Sequence, residues 1–193
     1  MKILNFNRFL LVLSLIFILQ VSAQAQFKAR NRLILFNGSL GLVKSDETGN
    51  KFSSYMFSFY YEQIMINTRT VWGVSIGYLN GQDKADTPES RKVNFQTIPF
   101  MFYAKHLFGS GRVRGYAKGG LGLHSSKIEF VGPETLVTDW DAGLLLGAGA
   151  GIYVALDENI FINLNYDFTW LDNSYYQDGL AHFFNLGLGF HLN

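Results

Sequence analysis

Apolar and polar residues alternate along most of the chain after residue 25, which predicts strands with one apolar face. In the segment 160–170 every even-numbered residue is apolar or aromatic, and the same holds for 184–192. Similar alternation occurs near residues 34–42, 55–61, 72–78, 98–102, 113–123 and 140–150. We therefore predict an all-β fold of eight strands.

The connections between these strands alternate in length. Those near residues 44–51, 80–92, 125–138 and 171–180 are long and polar, whereas those near 67–69, 106–111 and 157–159 are short. Long loops at one end and short turns at the other are typical of outer-membrane barrels. The pattern predicts an eight-stranded antiparallel up-and-down transmembrane β-barrel with its apolar stripes facing lipid.

The amino-acid composition indicates which face of the strands points outward from the barrel. The chain is 48% hydrophobic, 16% aromatic and only 16% charged. A soluble barrel would turn charged faces toward water, but the non-apolar stripes here carry mostly Gly, Ser and Asn, which suit a narrow lumen. The soluble barrel or sandwich stays open as an alternative. Both stripes near Pro99 are apolar, and because proline lacks an N–H we expect a local bulge there.

The first 25 residues have the features of a secretory signal peptide. Lys2 and Arg8 precede an apolar stretch, Phe9 to Leu19, and the sequence Ala23-x-Ala25 forms a cleavage site. The alternative is a membrane anchor, but eleven residues are too few to span the bilayer, which needs about 20. We expect residues 1–25 to be the signal peptide and 26–193 to be the barrel domain.

Aromatic residues cluster toward the predicted strand ends, where transmembrane barrels carry girdles at the two membrane interfaces. Their general preference for strands explains their number but not this clustering. The predicted interface aromatics are Trp72, Tyr78, Trp140, Tyr153, Tyr166 and Trp170.

Four stretches resemble the small outer-membrane β-barrel superfamily, which includes the transmembrane domain of outer-membrane protein A and the protein X and W types. They are Ile98–Phe108, Arg114–Leu123, Gly147–Phe168 and Gly187–Phe190. The resemblance implies an outer-membrane location in a Gram-negative envelope. It also implies insertion by the barrel-insertion machinery, which usually reads an aromatic residue at the chain end. This sequence departs from that pattern and ends in Asn193, so Phe190, three places inside, is the residue expected to serve as the signal.

Several charged residues fall on the stripe that should face the lumen. A Lys or Arg facing lipid at the bilayer midplane would cost roughly 2–4 kcal/mol, so these residues are expected to point inward and pair. We interpret them as a structural network filling a narrow barrel, with a polar pathway or gate as the alternative. The predicted lumen network is Glu62, Lys105, Arg114, Lys118, Asp141 and Asp167.

One group of residues raises the question of enzymatic activity. His124 and Ser126, with Glu129 nearby, would suffice for ester hydrolysis if the histidine served as base and the glutamate oriented it. A serine two residues from a histidine is common by chance, so we expect no enzyme. The four histidines lack metal-binding spacing, and the glycines near 147–151 do not form a phosphate loop, so we expect no metal and no cofactor.

Charge and cysteine content limit the classes of binding partner to be expected. The formal net charge is +1, and removing the predicted signal peptide leaves 14 Lys and Arg against 15 Asp and Glu, so nucleic acid is not an expected partner. Without cysteine there is no disulfide framework. We expect a monomer in outer-membrane lipid.

The predicted role of the protein is structural or interactional, through charged residues of loop 80–92 and through Tyr175 and Tyr176. Passive transport through the lumen or a lateral opening near Pro99 is the alternative.

Overall fold

A computed structural model describes residues 31–45, 51–65, 69–83, 92–131, 136–172 and 176–192. The predicted signal peptide, residues 1–25, lies outside these ranges, as do residues 84–91 and Tyr175. No helix within the described ranges is long and apolar enough to cross a membrane.

Eight antiparallel strands occupy the described ranges and close into a barrel in chain order, with β1 paired to both β2 and β8. This confirms the predicted fold class. The strands are β1 Arg32–Ser45, β2 Lys51–Ile64, β3 Thr70–Asp83, β4 Lys92–Phe108, β5 Val113–Val131, β6 Leu136–Ala155, β7 Ile160–Leu171 and β8 Tyr176–Leu192.

The two faces of the barrel wall separate large apolar side chains from polar ones. On β1, Phe36 and Leu40 are 55% and 74% exposed on the outside, whereas Asn37 and Ser39 between them are buried inside. The same alternation runs around the barrel, with exposed Phe57, Phe100 and Leu186 on other strands. An outer surface of this kind is stable only against hydrocarbon, because water would penalise so large an apolar area.

Three neighbouring strands continue well past the apolar band at the loop end. Strands β4, β5 and β6 contain 17, 19 and 20 residues, whereas crossing the bilayer needs about 9–11. The predicted extent of the connections at 125–138 and 171–180 is therefore wrong, since β5 runs to Val131, β6 begins at Leu136 and β8 at Tyr176. Several outward residues there are polar, among them Asn94, Gln96, Lys127 and Glu129, so the outward apolar stripe stops although the strand pairing continues.

Pro99 interrupts the β3–β4 ladder without shifting its register. Ile76 pairs with Phe100 and Leu79 pairs with Thr97, which leaves the intervening positions unpaired at an unchanged offset. The bulge predicted at Pro99 is therefore wrong: the missing N–H removes ladder bonds, but no extra residue is inserted. The irregular register is instead found between Val43 and Ser45, on the β1–β8 side.

The barrel interior is filled in layers. Toward the turn end lies one cluster of buried residues, which consists of Leu33, Leu35, Tyr60, Ile64, Val71, Tyr103, Leu107, Tyr116, Tyr153, Ala155 and Phe161. Toward the loop end lies a second cluster, which consists of Val43, Met56, Leu79, Val93, Phe95, Ile128, Leu145, Leu171, Ala181 and Phe183. Met101 packs against both, and charged and amide side chains occupy the space between them.

Candidate functional site in the barrel lumen

A buried ion pair joins two strands that are not neighbours in the sheet. Glu62 on β2 is fully buried, and its carboxylate binds the ammonium of Lys105 on β4. The Tyr103 hydroxyl donates to Glu62 Oε1 at 2.8 Å, and the Tyr153 hydroxyl donates to Oε2 at 2.7 Å. Both carboxylate oxygens thus have partners, which offsets the large cost of removing the charge from water.

Four tyrosine rings surround the ammonium of Lys105. The Nζ atom lies 4.4 Å from the ring centroid of Tyr116 and 4.9 Å from that of Tyr153. The Tyr103 and Tyr60 centroids follow at 5.3 and 5.8 Å. The negative faces of these rings add cation–π attraction in a place without bulk water, so the cation is held by aromatic rings as well as by Glu62.

A second ion pair lies nearby and extends into a network of amides. Lys118 Nζ on β5 lies 2.7 Å from Asp167 Oδ2 on β7, and the Asn185 side-chain amide donates to the same oxygen at 3.1 Å. Ser39 in turn donates to the Asn185 carbonyl. Separately, Asn163 accepts from the Tyr116 hydroxyl at 2.7 Å. These contacts connect β1, β5, β7 and β8 through the lumen.

The six residues of the predicted lumen network all lie on inward-facing positions. Four of them form the two ion pairs just described. Arg114 is buried near the turn end, and Asp141 is half-buried near the loop end, opposite Ser126 in the register. The structure thus brings Glu62, Lys105, Lys118 and Asp167 together and leaves Arg114 and Asp141 toward the two mouths.

Five of the predicted interface aromatics face outward, but Tyr153 does not. Trp72 stacks on Phe102 with centroids 6.2 Å apart, and the Tyr166 hydroxyl lies 2.5 Å from His182 Nδ1. Trp140 is 66% exposed. Tyr153 is fully buried and hydrogen-bonded to Glu62, so its prediction as an interface residue is wrong. Its place near a strand end suggested the girdle, but its position in the alternation turns it inward.

The predicted site residues do not include three of the tyrosines around Lys105 or the buried asparagines of the lumen. Tyr60, Tyr103 and Tyr116 share the inward alternation of the charged residues on their strands, which is the signal that identifies them. The asparagines Asn163, Asn165 and Asn185 carry the same signal. Periodicity thus places a side chain inside the barrel, but it does not show which side chains meet across the lumen.

The pair formed by His124 and Ser126 lies inside the barrel wall. His124 Nδ1 is 3.1 Å from Ser126 Oγ, and its Nε2 is 3.1 Å from the carbonyl oxygen of Asp172. Glu129 faces the opposite side of β5 and binds Lys127 at 2.6 Å, so it does not orient His124. The catalytic set considered above is therefore not assembled with Glu129, and Ser126 is almost fully buried, away from the lipid.

The other histidines are divided between the two faces. His106 and His182 lie outside, against Phe108 and Tyr166 respectively. His191 is buried beside Phe161, and His124 is buried inside the barrel wall. Among the residues that the structure describes, no group of His, Asp and Glu is arranged to hold a metal ion.

A small cavity of about 40 Å³ separates the ion pairs from the loop-end cluster. It is lined by the hydroxyls of Ser58, Ser75 and Thr97 and by Asp167, and it reaches the wall at Pro99. The volume holds a few water molecules at most. This cavity is small beside the two apolar clusters that fill the described part of the lumen.

Comparison with known proteins identifies the group to which this chain is related. The family described as "Outer membrane protein beta-barrel domain" matches residues 9–191. The chain belongs to this family. It is therefore an outer-membrane β-barrel protein, which confirms the predicted location.

Solved structures share this fold at low sequence identity. The chain is similar to Neisserial surface protein A, with a TM-score of 0.60 and 10% identity over 82% of this chain and 96% of that one. It is also similar to the attachment invasion locus protein of Yersinia pestis, with a TM-score of 0.54 and 18% identity over 85% and 99%. OprG from Pseudomonas aeruginosa gives 0.52 and 11% over 88% and 100%. A sequence comparison with curated proteins finds no match.

Proposed function

We propose that this protein is a closed barrel with a structural and surface-contact role, which supports envelope integrity and presents its loop end to the surroundings. The observation that carries the proposal is the filled lumen, in which two apolar clusters enclose paired charges. An eight-stranded barrel is just wide enough for side chains to fill, and these side chains leave only a small cavity. We further propose a monomer embedded in outer-membrane lipid and inserted by the barrel-insertion machinery.

The extension of β4, β5 and β6 past the apolar band supports the contact role. It places a paired sheet, rather than a flexible loop, above the membrane surface. Ordered backbone presents side chains at low entropic cost on binding, which favours recognition of a partner.

Two measurements test this proposal. Purified protein in a planar bilayer is expected to give no stepwise conductance, whereas a variant with a widened lumen, Tyr153→Ala with Phe161→Ala, serves as the positive control. A strain without the protein is expected to become sensitive to detergent. Stepwise conductance of the wild-type protein, together with an unaltered strain, would contradict the closed structural role.

A second candidate function is passive entry of small apolar molecules through the wall near Pro99. It is supported by the interrupted β3–β4 ladder and by the cavity, which borders Pro99 and Gly77. An outer groove also borders Gly77, between Phe57 and Ile76. In liposomes, uptake of an apolar dye is expected to fall for Pro99→Val if this route operates. Equal uptake with and without protein would exclude it.

A weaker alternative is lipid hydrolysis by His124 and Ser126. The distance of 3.1 Å between His124 Nδ1 and Ser126 Oγ is its support. The burial of both residues argues against it, because an ester in the membrane has no access to Ser126.

A further inference from the structure

The outer face of the extended sheet carries a row of contacting polar side chains on four adjacent strands. On β3 and β4, the Gln82 amide donates to Asn94 Oδ1 at 3.1 Å. Asn94 in turn hydrogen-bonds the Glu129 carboxylate on β5. Lys127 lies 2.6 Å from Glu129, with its ammonium 5.9 Å from the ring centroid of Trp140 on β6. We call these five residues the outer polar strip.

The register places the strip just beyond the apolar band. The strip occupies two rows, with Gln82, Asn94 and Glu129 in the outer row and Lys127 and Trp140 in the row below it, level with Asn80 and Gln96. Two residues further toward the membrane, an intermediate row includes Tyr78 and Ile98. The next row toward the membrane centre is wholly apolar and exposed, and it consists of Ile76, Phe100, Leu123 and Leu144. An amphiphile whose acyl chains cover this row therefore places its headgroup against the strip.

The other flank of the barrel lacks such a strip in its described part. On β7, β8 and β1 the cross-strand row at the loop end consists of Phe168, His182 and Leu42, and the row below it of Tyr166, Phe184 and Leu40. These side chains suit acyl chains and the general interface, but they do not provide a set of amides. The strip is thus a local feature of β3–β6.

The chemistry of the strip favours hydroxyl groups over an anion. Lys127 and Glu129 neutralise each other, and the two side-chain amides provide donors and acceptors without net charge. Trp140 presents a largely exposed flat ring, against which the apolar face of a sugar ring packs. The mutual hydrogen bonds hold the side chains in place before binding, which reduces the entropic cost of recognition.

We propose that the outer polar strip binds the sugar rings of an outer-leaflet glycolipid whose acyl chains lie on the apolar row of Ile76, Phe100, Leu123 and Leu144. Trp140 on β6 stacks on one ring, whose hydroxyls Glu129 on the neighbouring strand binds, and Asn94 and Gln82, further along the strip, bind the hydroxyls of the next ring. The inference rests on the outer-membrane location and not on the closed lumen, so its failure leaves the proposed function standing.

Native mass spectrometry of the full-length protein tests the proposal. The protein in detergent receives equal amounts of two lipids with identical acyl chains: diglucosyl diacylglycerol, which carries uncharged sugars, and phosphatidic acid, which carries a phosphate and no sugar. The wild-type protein is expected to retain about fivefold more of the diglucosyl lipid, in the range of one aromatic contact. Equal retention overturns the proposal, and preference for phosphatidic acid shows that Lys127 reads a phosphate, which also overturns it.

Variants locate the site. Trp140→Leu is expected to abolish the preference, and Gln82→Leu, at an exposed position, is expected to weaken it. Tyr166→Leu on the opposite flank is the matched control and is expected to keep it. The shift in gel mobility between unheated and boiled samples verifies folding of each variant. If folded Trp140→Leu and Gln82→Leu both keep the wild-type preference, the strip does not bind the sugar.

Discussion

Replacing Glu62 with Gln tests whether the lumen is dry enough for its ion pair to govern stability. The side chains of Glu62 and Lys105 are 0% and 1% exposed, so the exposed-pair range of about 0.2–1 kcal/mol does not apply. Removing one partner of a buried pair costs about 3–5 kcal/mol, because the other charge is left uncompensated. We expect Glu62→Gln to lower the free energy of unfolding by that amount.

The hydroxyl contacts add to this cost. Tyr153 donates to Glu62 Oε2 and itself accepts from Lys105 at 2.5 Å. In Glu62→Gln one carboxylate oxygen becomes an NH₂ group, which faces a hydroxyl or ammonium donor. The amide cannot satisfy all the donors that the carboxylate served, so the variant loses a hydrogen bond as well as a charge.

The double variant Glu62→Gln with Lys105→Met separates pairing from packing. A methionine fits among the tyrosine rings, because its flexible thioether side chain fills irregular spaces and contacts aromatic rings favourably. Since neither charge remains, we expect most of the stability to return, to within about 1 kcal/mol of the wild type. Lys127→Met, in the more exposed pair on the outside, is the control and should leave stability unchanged.

The assay is urea unfolding in phospholipid vesicles, followed by tryptophan fluorescence and by gel mobility of unheated samples. The reasoning would be refuted if Glu62→Gln lost less than about 1 kcal/mol, or if the double variant were no more stable than the single one. Either result would mean that water reaches Lys105 and solvates its ammonium group.

Three further predictions concern the wall and the buried serine. Pro99→Val adds a ladder donor and should raise the free energy of unfolding by about 0.5–1.5 kcal/mol in the same assay; an unchanged value would show that the backbone there is already satisfied. Gly122→Ala places a methyl group far inside van der Waals contact with the carbonyl oxygen of Phe100 and should reduce the folded fraction on gels, whereas Gly115→Ala, whose nearest atom is 3.9 Å away, should fold normally; equal yields would contradict this close approach. Ser126→Ala should leave the lipid composition of the membrane unchanged by mass analysis, and a loss of deacylated lipid would instead establish a hydrolase.

The alternation of residues sufficed to predict the fold, because each strand meets lipid on one side and a packed lumen on the other. It placed Phe36 outside and Asn37 inside from the sequence alone, and the structure agrees. It failed where the surroundings change along a strand. Past the membrane the outward face of β5 carries Lys127 and Glu129 while Ile128 is buried inside, so the outward apolar stripe ends and the predicted strand is too short, although its ladder to β6 continues to Val131.

The candidate site was only partly predictable for a different reason. The inward positions of Glu62 and Lys118 follow from periodicity, but their partners lie on strands that are not neighbours in the sheet. Which side chains meet depends on the tilt and stagger of the closed barrel, which a list of strands does not contain. Tyr153 is wrongly predicted at the membrane interface because it lies near a strand end, although its place in the alternation of β6 turns it into the lumen.

The cross-lumen contacts have a consequence for how the polypeptide reaches its native state. Glu62 on β2 meets Lys105 on β4, and Lys118 on β5 meets Asp167 on β7, so no single hairpin neutralises its own charge. A hairpin that entered the hydrocarbon alone would carry an uncompensated ion at a heavy energetic penalty. Rolling up of the sheet and burial of these charges must therefore occur together, which makes assembly an all-or-none event late in biogenesis.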